Sequence, residues 1–108
     1  MASIQEITAG ENALRTYVDA TLEAEEKGWE EAFIPQYAFS KGAIAVINAA
    51  DNGTQTAASR QANGALALKT QLNAAGVGGQ VTAAQCSMAA AAVLTAVAAV
   101  RSRSGKHK

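Results

Sequence analysis

Alanine occupies 27 of the 108 positions, and no other feature limits the possible folds of this chain as strongly. Alanine is the best intrinsic helix former, buries little area per residue, and lets neighbouring helices approach closely. No segment shows the sustained polar–apolar alternation of a half-buried strand. An all-α fold is therefore expected. A chain of this length supports one domain and would bury about two-thirds of the surface that its unfolded form exposes. With 49% hydrophobic and 17% charged residues it is no disordered polyelectrolyte. A core so rich in alanine is nevertheless thin, and packing against other subunits is expected to supplement it.

Local signals divide the chain into helices. Thr8-Ala-Gly-Glu11 has the form of a capping box, in which hydroxyl and carboxylate satisfy backbone donors at a helix start. The first helix is expected to run from there to about Lys27, with Leu14, Val18 and Leu22 on one side, Tyr17 alongside, and Gly28 ending it. Pro35 disfavours helix at Ile34, so Trp29–Pro35 reads as a short helical turn followed by a kink. Gln36 to about Ala50 forms the next long helix, with Phe39, Ile44 and Ile47 on an apolar face despite Gly42. Asp51-Asn-Gly53 is a strong turn signal. Thr54 to Ala75 reads as a third long helix, with Ala58, Ala62, Ala65, Leu68 or Lys69, and Leu72 near one face, and Gly64 weakening it. After the flexible Gly76-Val-Gly-Gly-Gln80, Thr82-Ala-Ala-Gln85 is a second capping box, opening a helix to about Arg101. That helix is apolar nearly all round, with Met88, Val93, Leu94, Val97 and Val100 among alanines. It belongs at the centre of a bundle or in a subunit interface.

Short connections suit antiparallel neighbours. The expected architecture is a small antiparallel bundle of three to four helices, residues 1–100 forming one domain and 101–108 a basic C-terminal tail.

The charges are divided along the chain. All nine acids lie at or before Asp51, against Arg15, Lys27 and Lys41, which leaves −6 on the first 51 residues. The remaining 57 hold no acid and carry Arg60, Lys69, Arg101, Arg103, Lys106 and Lys108, or +6, with His107 able to add charge at lower pH. Such a chain can pair acidic and basic ends between identical neighbours, or direct Arg101, Arg103, Lys106 and Lys108 at an anionic partner such as nucleic acid. A solvated tail is the plain alternative.

No residue pattern specifies a chemistry. The one histidine, His107, lies in the basic tail with nothing to fix it, so no His-based dyad is expected. Glu25-Glu26 and Glu30-Glu31 are adjacent helix positions that diverge by about 100° and read as solvated faces. Gly76-Val-Gly-Gly lacks the preceding strand and the lysine of a phosphate loop and reads as a hinge. Cys86 is alone, which excludes an intramolecular disulfide, and reads as an inert buried thiol. Neither catalysis, a metal, a cofactor nor a small-molecule substrate is expected. Cys86 to Val100 is the one membrane candidate, and its 15 residues fall short of the roughly 20 that a bilayer requires. Met1 to Gly10 has no basic residue and does not resemble a secretory signal. All five aromatics, Tyr17, Trp29, Phe33, Tyr37 and Phe39, fall within 23 residues. They are either the densest part of the core or, for Trp29, Phe33, Tyr37 and Phe39, an anchor for a partner.

The acidic start, alanine-rich apolar helix and basic end resemble the ordering in filamentous-phage coat proteins, and the Gln/Ala/Asn/Thr-rich stretch Thr54 to Gly76 resembles small virion proteins of tailed phages. The resemblance is one of composition over about half the chain. It implies a structural subunit that assembles with itself or a larger particle: a capsid-associated decoration, cement or minor capsid protein, located in the virion and assembled in the host cytoplasm. The competing expectation is a small cytoplasmic nucleic-acid-associated or regulatory helical protein that uses its basic tail.

Overall fold

The computed structural model describes residues 3–23, 36–53, 56–76 and 81–105. Those residues form four helices and no strand: α1 (Ile4–Glu23), α2 (Gln36–Ala50), α3 (Ala57–Ala74) and α4 (Ala83–Gly105). The protein is all-α. Each helix packs on the next, α4 closes back onto α1, and α2 also reaches α4 across the middle.

The ends of the helices follow side-chain chemistry. α1 starts earlier than Thr8–Glu11 suggests, because Ser3 and Glu6 form the capping box: Glu6 N–H donates to Ser3 Oγ and Ser3 N–H donates to Glu6 Oε1, both at 3.1 Å. Thr8 and Glu11 are interior residues of α1. The second box is where the spacing places it. Gln85 N–H donates to Thr82 Oγ1 and Thr82 N–H to Gln85 Oε1, both at 3.0 Å, so the buried Gln85 side chain meets a backbone donor instead of being left unsatisfied. α3 is capped by Thr56, whose hydroxyl accepts from Ser59 N–H. Gly76, at φ +86°, follows its last turn in the left-handed region. α2 ends at Ala50 and passes into the Asp51–Gly53 turn, with Gly53 at φ +79°. The kinked segment expected at Trp29–Pro35 lies outside the described residues.

Ile47, Leu68, Leu72, Val46, Val93 and Val97 are the largest fully enclosed side chains, joined by Leu14, Val18, Phe39 and Val81. Only part of the expected α3 face is inside. Gly64, Leu68 and Leu72 are buried, whereas Ala58 and Ala62 are exposed. The reason is close approach. A Cβ at Gly64 would lie 3.0 Å from Val46 Cγ1, one at Gly42 3.0 Å from Leu68 Cδ1, and one at Gly10 3.1 Å from Val93 Cγ1 and 3.3 Å from Ala43 Cβ. Three glycines that lower helix propensity therefore sit where two helices meet most closely, and dispersion contacts across those seams offset part of their cost.

Candidate functional site

Two acids from the first half of the chain and two arginines from the second meet at one end of the described helices. Arg101, in the last turns of α4, donates from Nε to Glu6 Oε2 at 3.0 Å and from Nη2 to Asp51 Oδ2 at 2.7 Å. Arg60, in the first turn of α3, donates to Asp51 Oδ1 at 3.4 Å and to the Ala50 carbonyl at 3.1 Å. The start of α1, the end of α2, the start of α3 and the end of α4 are thereby tied together. Glu6 stands at the N-terminus of α1, where a negative charge suits the helix dipole, and Arg60 reaches the Ala50 carbonyl at the end of α2. Hydrogen bonding to Arg101 holds both the Glu6 and Asp51 carboxyls below their ordinary values, and those two acids hold Arg101 the more firmly protonated.

This network bears on the sequence reading of the basic end. Arg101 is engaged by the carboxylates of Glu6 and Asp51, and α4 runs on through Gly105. Arg103 is exposed and forms no ion pair among the described residues; it borders a groove with Ile4, Thr8, Asn12 and Val100. Lys106 and Lys108 lie outside the described residues.

The aromatic group is also divided. Phe39 is a core residue, 8% exposed, with the Arg15 guanidinium 4.3 Å from its ring centre. Tyr37 is exposed, with Lys41 5.5 Å from its ring centre. Tyr17 donates to the sulfur of Met88, linking α1 to α4. Trp29 and Phe33 lie outside the described residues.

The helix expected at a bundle centre or in a subunit interface, α4, has both an inner and an outer side. Its inward positions are Cys86, Ala89, Ala90, Val93, Val97 and Val100, all buried. Facing away from them run Ala84, Met88, Ala91, Thr95, Ala98 and Ser102, all exposed except the half-buried Ala91. From Ala83 to Val100 the helix carries no charge. Its apolar stretch is only 39% buried, and at 21 residues, Ala83–Arg103, it is long and apolar enough by length and composition to cross a membrane, whereas the run from Cys86 to Val100 alone is not. On its α3 side the stripe slopes into a shallow groove lined by Ala57, Ala91, Leu94 and Ala98 with Arg60 and Gln61 at the rim. The signal was available in the sequence, since 84, 88, 91, 95, 98 and 102 follow four-three spacing, but it is hidden in a helix that is apolar on every side.

Reactive groups are few among the described residues. The Cys86 thiol is 1% exposed, and burial pushes its pKa up. Lys69 Nζ donates to the Val81 carbonyl on the chain entering α4. Among the described residues no three His, Cys, Asp or Glu side chains converge as metal ligands would. Glu25, Glu26, Glu30, Glu31 and His107 lie outside those residues.

Among the described residues the fold is all-α, four helices of which α4 has an uncharged outer side. The chain matches no protein-family model, no curated protein sequence and no solved structure.

Proposed function

We propose that this protein is a non-enzymatic structural subunit, an antiparallel helical bundle that assembles with copies of itself or into a larger particle. The observation that carries the reading is the outer face of α4. A helix face left open to water in a soluble monomer normally carries charge, and surfaces of small domains are about 25–35% Lys, Arg, Glu and Asp. This one has none from Ala83 to Val100. The antiparallel arrangement is supported by paired contacts in opposite sequence order, Glu6 with Arg101 and Tyr17 with Met88, then Asp51 with Arg60 and Gly42 against Leu68.

The particle we propose is a virion, with the chain in a capsid-associated role as a decoration, cement or minor capsid protein. That setting is supported by the compositional resemblance. Light scattering on the purified protein across a concentration series, with and without DNA at low salt, tests the reading. Oligomers or larger particles in the absence of DNA are expected. A monomer that gains mass only with DNA would replace the reading with nucleic-acid association through the basic end. Because Arg101 is structural, that alternative is properly probed by Arg103→Gln, Lys106→Gln and Lys108→Gln together, which would lower the salt slope by about one per lost phosphate contact.

A further inference from the structure

We infer that the outer face of α4 is a self-association surface, on which a second copy of this chain packs its own α4 in the opposite direction about Thr95; this rests on the structural-subunit reading above. Ala84, Met88, Ala91, Thr95, Ala98 and Ser102 recur at four-three spacing over two and a half heptads. A seam with that period keeps facing a partner helix as the two wind around each other at about 20°. Its side chains are small, so the axes approach to the short end of the usual 8–10 Å range and backbone-to-backbone dispersion contacts are maximised. Met88, 59% exposed, supplies the one long apolar side chain on the stripe.

Charge complementarity identifies the occupant as a second copy and sets its direction. The groove beside the stripe is bordered on α1 by Gln5, Thr8 and Asn12, with Val100 and Arg103 contributed by α4. Continued along α1 at the same three- and four-residue spacing, that border reaches Asp19, which is exposed. Glu6 meets Arg101 and Tyr17 meets Met88, so Asp19 stands near the level of Cys86. Reversing a second α4 about Thr95 brings its Arg103 to the level of Ser87, beside this Asp19, and the symmetry repeats the pair on the other side. Neither residue forms an ion pair among the described residues of its own chain. A parallel arrangement would instead set Arg103 against Arg103. The contact is isologous and therefore closes as a dimer, leaving the outer sides of α2 and α3 available for any higher assembly.

The experiment is sedimentation equilibrium on the full chain, whose monomer mass is 11.0 kDa. Thr95→Glu places two like charges on the dyad and is expected to weaken dimerisation at least tenfold, while Ala62→Glu, on the exposed side of α3, leaves the dimer intact. Helicity by circular dichroism confirms that both variants fold. Asp19→Arg is expected to weaken the dimer and the double variant Asp19→Arg/Arg103→Asp to restore it. With a short bis-maleimide, Thr95→Cys is expected to couple to itself and Ser102→Cys is not, since its mate is Met88; a parallel pair would couple both. A folded Thr95→Glu that assembles as strongly as the parent overturns the α4 surface while leaving self-assembly standing. A parent chain that stays monomeric at every concentration overturns both.

Discussion

Three interior glycines carry much of the tight packing, and they are not equivalent. At Gly10 an added methyl would press on Val93 Cγ1 and Ala43 Cβ, a β-branched side chain with one favoured helical rotamer and a group that cannot rotate at all. Gly10→Ala gains about 1 kcal/mol of helix propensity but incurs about 1–3 kcal/mol of overpacking, so a net loss is expected. At Gly42 the neighbours are the δ-methyls of Leu68 and Leu14, at 3.0 and 3.4 Å, and such side-chain ends can move by a few tenths of an ångström. Gly42→Ala is therefore expected to be close to neutral. Thermal denaturation of the two variants side by side checks the contrast, and a Gly10→Ala protein that melts no lower than Gly42→Ala would refute it.

At the scale of the helix, the reciprocal box at Thr82 and Gln85 governs the start of α4. Thr82→Ala removes one side-chain acceptor from an N-terminus and is expected to cost about 1 kcal/mol, read as a lower urea midpoint with an unchanged slope. Ser3→Ala at the more exposed start of α1 should cost less. How far these elements could be read from the residues depended on whether their signals are local. The bounds of α2, the Asp51–Gly53 turn and the Thr82 box could all be read because a turn or a cap is determined within four residues. The start of α1 could not be located, because Ser3-x-x-Glu6 and Thr8-x-x-Glu11 satisfy the same motif, and only Glu6, drawn also by Arg101, stands at the true end. The face of α3 was right at Ala65, Leu68 and Leu72 and wrong at Ala58 and Ala62, because alanine fits inside or outside equally well, and a glycine at a helix crossing looks in the sequence like a weakness. Of the candidate site residues, Phe39 became core and Arg101 became an internal tie, since each role depends on a partner far along the chain.

For the molecule as a whole, Arg101, Glu6, Asp51 and Arg60 make stability respond to acid. The Glu6 and Asp51 carboxyls titrate lower in the folded protein than their ordinary 4.5 and 3.8, first because of the hydrogen bonds from Arg101. Their contribution is thus complete above those ordinary values and is lost as the pH falls through the depressed folded ones. The melting temperature is expected to fall on acidification below about pH 4.5, and Arg101→Gln should flatten that fall while lowering stability at neutral pH. An unchanged acid profile in Arg101→Gln would exclude the network as its source. The same tie bears on the order of folding. Asp51 and Arg60 are 9 residues apart, whereas Glu6 and Arg101 are 95 apart, so the α2–α3 hairpin can form after a short loop closure while the α1–α4 seam must wait for the longest one. Contacts made after the transition state act on unfolding rather than refolding. In stopped-flow experiments Arg101→Gln is therefore expected to quicken unfolding and leave the refolding limb nearly unmoved. The persistence of the folded chain, as distinct from its speed of formation, would then depend on how long one guanidinium keeps its two carboxylates.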